Sequence, residues 1–250
     1  MSDQHGEEIV TEESPWRYPA IIIALTLLLS GFVAYYYLGD GLPGLTGSLP
    51  RASVRETPIH MEIGDARFVV PENYTQYPRD RRDGTTDGIS LYTLFPTREG
   101  YSARHSDLFQ VSEHEAEPRD RLLQTERFVI HFEVHIRRLP LSEADRVNDI
   151  YRERLVDPEG EVFNEELTKY TFSGESTYND TDLLLGEEGG NVVAILCTQR
   201  SNMVPNPNCR RTLDLPDGLR LSYRFKRAHL EDWRTINDGL IELIDSWRTN

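Results

Sequence analysis

An apolar stretch of nineteen residues, from position 20 to position 38, limits what this chain can fold into more than any other feature. The stretch contains no Asp, Glu, Lys or Arg. An α-helix rises about 1.5 Å per residue, so a helix of this length would extend about 28 Å, close to the hydrocarbon thickness of a bilayer. Trp16 and Tyr18 lie near one end and three tyrosines, residues 35–37, at the other, as aromatic residues do at membrane interfaces. The sequence predicts a transmembrane helix over residues 17–38.

Two other interpretations of the apolar stretch fit less well. A cleaved secretory signal begins with basic residues and has an apolar run of about 7–15 residues, whereas here the preceding residues are acidic and the run is longer. A helix buried in a soluble protein usually carries a polar stripe, and only Thr26 and Ser30 interrupt this one. The favoured interpretation is a membrane anchor that is not cleaved.

The remainder of the chain divides into three parts around this anchor. Residues 1–16 are polar and acidic without periodicity, which predicts a disordered tail. Residues 39–57 are rich in Gly and Pro, which predicts a flexible linker. Residues 58–250 have the length of one domain with a single hydrophobic core.

Hydrophobic periodicity predicts an α+β fold for this domain. Apolar and polar residues alternate over residues 127–139, the pattern of a strand with one buried and one wet face. A capping box at Ser142 and Asp145 predicts a helix to about residue 155. An apolar stripe predicts a C-terminal amphipathic helix over residues 228–248. Further strands are predicted at 59–70 (a hairpin), 88–95, 167–172, 182–185, 192–197 and 219–225. Together these elements predict an antiparallel sheet packed by the C-terminal helix.

The two cysteines bear on the compartment. Cys197 and Cys209 are the only ones, and they bracket a polar loop with two prolines. This arrangement favours a disulfide in an oxidising compartment over two free thiols in the cytosol. Arg17 directly before the apolar stretch favours a cytoplasmic N-terminus. The sequence thus predicts a tail in the cytoplasm and a domain outside, which in a bacterium means the inner membrane and the periplasm.

The charge balance limits the partners. The chain has 42 acidic and 27 basic residues, for a net charge of −15, without a basic stripe. Such a surface repels nucleic acid and anionic lipid. The expected contacts are the bilayer, through residues 17–38, and a protein.

One constellation of residues could carry chemistry. His131, Glu133 and His135 lie on the same face of the predicted strand, and two imidazoles with a carboxylate could bind zinc or a similar ion. The alternative is that they are simply the polar face of an amphipathic strand, since alternation places polar residues together in any case.

No other pattern in the sequence adds a catalytic or cofactor site. The segment with His105, His114 and Glu115 could complete a metal site only by folding over the strand. The chain contains no nucleophile elbow and no phosphate-binding glycine loop. The sequence therefore assigns no catalytic residue, cofactor or metal ligand.

Several short motifs resemble a known group of proteins. They are Val-Pro-Glu-Asn-Tyr at 70–74, Arg-Arg-Asp-Gly at 81–84, Ile-Ser-Leu-Tyr-Thr-Leu-Phe-Pro at 89–96, Gly-Tyr-Ser at 100–102 and the loop between the cysteines. They resemble uncharacterised single-pass membrane proteins of Gram-negative bacteria, over about residues 63–107 and more loosely over the C-terminal third. The resemblance implies an inner-membrane anchor with a periplasmic domain, and it implies no activity.

Two functional hypotheses follow. The anchor, the linker and the lack of a catalytic motif favour a periplasmic domain that binds a protein partner, as an accessory or immunity-type component of the cell envelope. The alternative is an envelope hydrolase with carboxylate or metal chemistry near His131, Glu133 and His135. A ligand-binding sensor is disfavoured, because the short tail leaves no room for a signalling module.

Overall fold

The computed structural model describes residues 16–38, 47–106 and 127–249. The chain divides into two compact units, Met1–Leu49 and Pro50–Asn250. Residues 1–15 of the predicted tail and residues 39–46 of the predicted linker lie outside the described residues.

Within the described residues, the first unit contains the helix α1 (Arg17–Leu38). The side chains of Ile22 and Leu28 are 63% and 73% exposed. The Thr26 hydroxyl donates to the Ile22 carbonyl oxygen at 2.8 Å, so this polar group is satisfied within the helix. Among the described residues, no helix is both long enough and apolar enough to cross a membrane.

The second unit is built on two β-sheets. Its strands are β1 (Pro58–Ile63), β2 (Ala66–Pro71), β3 (Gly84–Thr86), β4 (Gly88–Leu94), β5 (Val129–Ile136), β6 (Glu161–Val162), β7 (Leu167–Thr171), β8 (Thr181–Glu188), β9 (Asn191–Thr198), β10 (Asn208–Asp214), β11 (Leu219–Lys226) and β12 (Arg248–Thr249). The smaller sheet has the order β12-β2-β1-β3, and the larger has the order β4-β5-β11-β10-β9-β8-β7-β6. All pairs in the larger sheet are antiparallel, which confirms the predicted antiparallel sheet.

The predicted strands are present, and one further long strand accompanies them. The predicted hairpin is β1–β2, and Gly64 in its turn has a φ of 61°, a left-handed conformation that glycine adopts without strain. No strand was predicted between residues 198 and 218, where β10 lies. The loop is shorter than expected, since β10 begins at Asn208.

The C-terminal helix α3 (Trp233–Trp247) packs its apolar stripe into the main core. Its buried residues Ile236 and Leu240 belong to the same core as Phe132 of β5 and Tyr223 of β11. The predicted α+β fold with a C-terminal amphipathic helix is therefore confirmed. The helix begins later than predicted, because residues 227–232 form a 3-10 helix.

A second helical segment packs on the opposite face of the larger sheet. The helix α2 (Glu143–Arg146) opens with the predicted capping box, in which the Asp145 amide donates to Ser142 Oγ at 3.1 Å. The predicted helix to about residue 155 is present to residue 154, but only its first turn is an α-helix. The segment continues as a π-helix over residues 147–151 and a 3-10 helix over residues 152–154. The π-helix buries Val147 and Tyr151 in a separate cluster with residues of β8 and β9.

Candidate functional site

The three candidate residues of the predicted strand lie on β5 and share a face, as expected. His131 and His135 are half-buried and Glu133 is exposed. Arg224 of β11 lies directly opposite His131, and Nδ1 of His135 lies 3.0 Å from the Ile136 carbonyl oxygen. The positive charge of Arg224 opposes the binding of a cation at His131. Within the described ranges no group of three or more His, Cys, Asp or Glu side chains could hold a metal ion.

Of the three residues that could complete such a site, only His105 lies in the described ranges, and its contacts are with other residues. The Nδ1 atom of His105 lies 3.0 Å from the Ser102 hydroxyl oxygen and its Nε2 atom 3.5 Å from a carboxylate oxygen of Glu99. His114 and Glu115 lie outside the described residues. The metal form of the hydrolase hypothesis thus has no support in the described geometry.

The same face of the sheet carries two arginines that the sequence analysis did not single out. Arg210 of β10 and Arg224 of β11 are directly opposite each other in the antiparallel ladder, and both are exposed. Neither guanidinium is paired with a carboxylate among the described residues. Like charges at directly opposite positions of a sheet are destabilising. We call the surface formed by Arg210, Arg224, His131, Glu133 and Ser222 the arginine face.

A loop from the smaller sheet borders the arginine face. Thr75 forms a β-bridge with Leu91 of β4, and the Gln76 amide donates to the Ser90 carbonyl oxygen at 3.0 Å. These bonds hold the loop along the outer edge of β4. Gln76 and the following Tyr77 line a cavity of about 300 Å³ whose remaining polar lining is the arginine face.

The arginine face offers donors for hydrogen bonds with anions. Guanidinium groups bind carboxylates in a bidentate geometry, with charge-assisted hydrogen bonds. Ser222 lies directly opposite Glu133 in the ladder, and its hydroxyl oxygen is 2.6 Å from that of Thr212. The two arginines can take part in the recognition of an anionic group.

A buried ion pair lies on the other side of β10. Arg211 is 4% exposed, and its Nε and Nη2 atoms donate to the two carboxylate oxygens of Glu143 at 3.1 and 3.2 Å. The Ala194 amide also donates to Glu143, at 2.7 Å. Strands β9 and β10 pair only from Cys197–Cys209 to Ile195–Arg211, so the Glu143 carboxylate takes the place of a missing ladder partner for Ala194.

Glu143 is a buried carboxyl group with a raised pKa, a combination that can mark a functional site. Burial raises the pKa of Glu143, against the lowering effects of Arg211 and the Ala194 amide. The third nitrogen of Arg211, Nη1, lies 3.5 Å from Glu188 Oε2. Both carboxylate oxygens of Glu143 accept hydrogen bonds that join α2 to β9 and β10. The cluster therefore holds the sheet together where its strands diverge, which is a structural role.

The predicted disulfide is present. Cys197 of β9 and Cys209 of β10 are directly opposite each other and covalently joined. Both are fully buried. The bond closes the loop of residues 198–208 at its base.

Comparisons with known proteins extend to the fold only. No known protein family matches the chain, and no curated protein matches its sequence. The structure of Smlt3025, an immunity protein of the Stenotrophomonas maltophilia type IV secretion system, matches with a TM-score of 0.54 and 14% sequence identity, over 78% of this chain and 95% of that chain.

A second solved structure matches more distantly. It is the Neisseria meningitidis iron-regulated outer membrane lipoprotein FrpD, with a TM-score of 0.43 and 12% identity over 79% of this chain and 96% of that chain. The first of the two comparisons shows that this chain has the fold of Smlt3025.

Proposed function

We propose that this protein is an anchored component of the bacterial envelope that binds an acidic protein partner through its arginine face, in the manner of an immunity protein. The observation that carries the proposal is the unpaired, exposed pair Arg210 and Arg224 in a chain with a net charge of −15. The fold shared with the immunity protein Smlt3025 supports the same function class.

The energetics of the arginine pair favour a functional role. Opposed like charges cost about 0.2–1 kcal/mol in a sheet, and the fold gains no compensating ion pair from any described residue. A partner that places carboxylates over the pair would remove this repulsion and form charge-assisted hydrogen bonds. Arginine is also among the residues that contribute most to binding at protein interfaces.

The proposed location is the inner membrane, with residues 1–16 in the cytoplasm and the domain of residues 58–250 in the periplasm. The exposed apolar side chains along α1 support an anchor over residues 17–38, since lipid would cover them. The Cys197–Cys209 disulfide supports an oxidising compartment for the domain. The linker of residues 39–57 would let the domain reach a partner near the membrane.

The test compares two full-length double variants that have the same net charge. Arg210→Gln with Arg224→Gln removes the arginine pair. Arg82→Gln with Arg152→Gln removes two other exposed arginines outside the arginine face. Each protein is expressed in its native cells, cross-linked, purified through a tag and analysed by quantitative mass spectrometry.

The expected result is one protein that the wild type and the control variant retain equally, and that the arginine-pair variant loses by at least tenfold. Truncating one member of a buried, hydrogen-bonded charge pair at an interface costs about 2–5 kcal/mol, which is about thirtyfold or more in affinity. A tenfold loss is therefore a lower bound. Retention should also fall with added salt. Equal retention by all three proteins, or no specific protein in any of them, would refute the proposal.

A further inference from the structure

The loop that the disulfide closes carries the most exposed large apolar side chain among the described residues. Met203 is 92% exposed. The loop from Gln199 to Pro207 contains no Asp or Glu and one Arg, in a strongly acidic chain. An isolated exposed apolar residue needs no explanation. Met203 differs from such a residue because hydrogen bonds fix the turn that carries it.

The turn at the tip of the loop is fixed by several hydrogen bonds. The Val204 amide donates to the Ser201 carbonyl oxygen, and the Ser201 amide donates to the Val204 carbonyl oxygen, both at 3.2 Å. The Val204 amide also lies 3.0 Å from Ser201 Oγ, and Arg200 Nε donates to the Pro205 carbonyl oxygen at 3.0 Å. We call residues 201–204 the Met203 turn. Because it is already ordered, binding costs it little conformational entropy.

The Met203 turn and the arginine face lie at the same end of the larger sheet. The loop enters β10 at Asn208, whose ladder partner is Lys226. Arg210 is two residues further along the strand, a rise of about 7 Å. A single partner surface can therefore span both features.

We infer that the Met203 turn inserts into an apolar cleft of the same partner, and that the rim of this cleft carries the carboxylates that meet Arg210 and Arg224. This inference rests on the proposed function. A methionine side chain is flexible and polarizable, so it fills apolar clefts of irregular shape. The absence of carboxylates from residues 199–207 removes the repulsion that an acidic rim would otherwise meet.

The experiment uses a photo-reactive benzoylphenylalanine placed at single positions of the full-length protein in its native cells. Met203 and Arg210 are the test positions. Leu139 is the matched control, because it is also apolar and is 62% exposed. It follows β5 at the end of the sheet where Ile136 pairs with Leu219, whereas the loop enters β10 at the opposite end. Met203→Leu and Met203→Asp are then compared with the photo-reactive residue at position 210. The amount of the cross-linked protein is measured for each.

The expected result is the same protein adduct from positions 203 and 210 and none from position 139. Peptide mapping should place the position-203 cross-link among apolar residues bordered by Asp or Glu. Met203→Leu should keep capture within about threefold, whereas Met203→Asp should lower it at least tenfold, as expected when burial of a Met side chain is lost.

The other outcomes separate this inference from the proposed function. An adduct from position 210 without one from position 203 would overturn the insertion of Met203 and leave the arginine face supported. No adduct from either position would overturn both. A lipid adduct from position 203, or an equal protein adduct from position 139, would also overturn the insertion, because neither requires a specific cleft.

Discussion

The buried ion pair between Glu143 and Arg211 gives a sharp prediction about stability. Glu143→Ala removes both acceptor oxygens that Arg211 uses. The variant also leaves the Ala194 amide without the acceptor that it has at 2.7 Å. Arg211 cannot recover its loss from water, because its side chain is only 4% exposed. We therefore expect a large destabilisation of the second unit.

The structure sets the size of this effect. Removing one partner of a buried ion pair costs about 3–5 kcal/mol. Glu188 remains 3.5 Å from Arg211 Nη1 and still compensates part of its charge, so we expect the lower end, about 3 kcal/mol. In a unit of this size each kcal/mol shifts Tm by about 2–4 °C, so Tm should fall by about 6–12 °C.

A second ion pair provides the matched control. Arg138 Nη2 lies 2.8 Å from Asp87 Oδ2, but the two side chains are 75% and 74% exposed. Asp87→Ala should change the stability by at most about 1 kcal/mol, because exposed pairs contribute little. Both variants are measured as full-length protein in detergent, by circular dichroism during heating.

The double variant Glu143→Leu with Arg211→Met tests the physical reason. Replacing a buried ion pair by apolar residues is often neutral or stabilising, so this variant should recover much of the stability that Glu143→Ala loses. If Glu143→Ala were as stable as Asp87→Ala, the pair would be solvated in solution and the structural role assigned to it would be wrong.

Two further variants and the reduction of the disulfide test separate parts of the structure, again by circular dichroism during heating. Ser142→Ala, which removes the cap of α2, should cost about 1 kcal/mol, and no change would mean that the capping box is frayed in solution. Reduction of Cys197–Cys209, which are 12 residues apart, should cost about 3 kcal/mol on the chain-entropy model, with no such effect of reductant on a Cys197→Ala, Cys209→Ala variant. Arg210→Gln should raise stability by about 0.2–1 kcal/mol because it removes repulsion from Arg224; a loss of stability would instead show that Arg210 has a favourable partner in the free protein.

The sequence predicted those elements whose two faces differ in polarity. Strand β5 is an example, because Phe132 and Val134 are buried while Glu133 between them is exposed. The C-terminal helix was predictable for the same reason, since its apolar residues recur at helical spacing and all meet one core. In both elements the local pattern alone determines which side is buried.

Strand β10 could not be predicted in this way, because both of its faces carry charge. Arg210 points to solvent and Arg211 to the interior. A buried arginine is tolerated only with a partner, and the partner, Glu143, is 68 residues away in the sequence. The opposition of Arg210 to Arg224 depends on the register of β10. The arginine face therefore could not be predicted without that strand.

Arg210 and Arg211, which are neighbours on β10, differ in whether the folded structure requires them. The fold requires Arg211, because its guanidinium is buried against Glu143. Replacing Arg211 alone would leave the Glu143 carboxylate buried without that partner. Arg210 is not required by the fold, because a neutral polar residue opposite Arg224 would serve the ladder equally well and without repulsion. A residue that the folded chain would be more stable without is explained better by an interaction outside the chain than by one within it. The arginine pair is therefore where a partner should be sought first, and loss of that partner on replacement of Arg210 and Arg224 is the result that binding through this face requires.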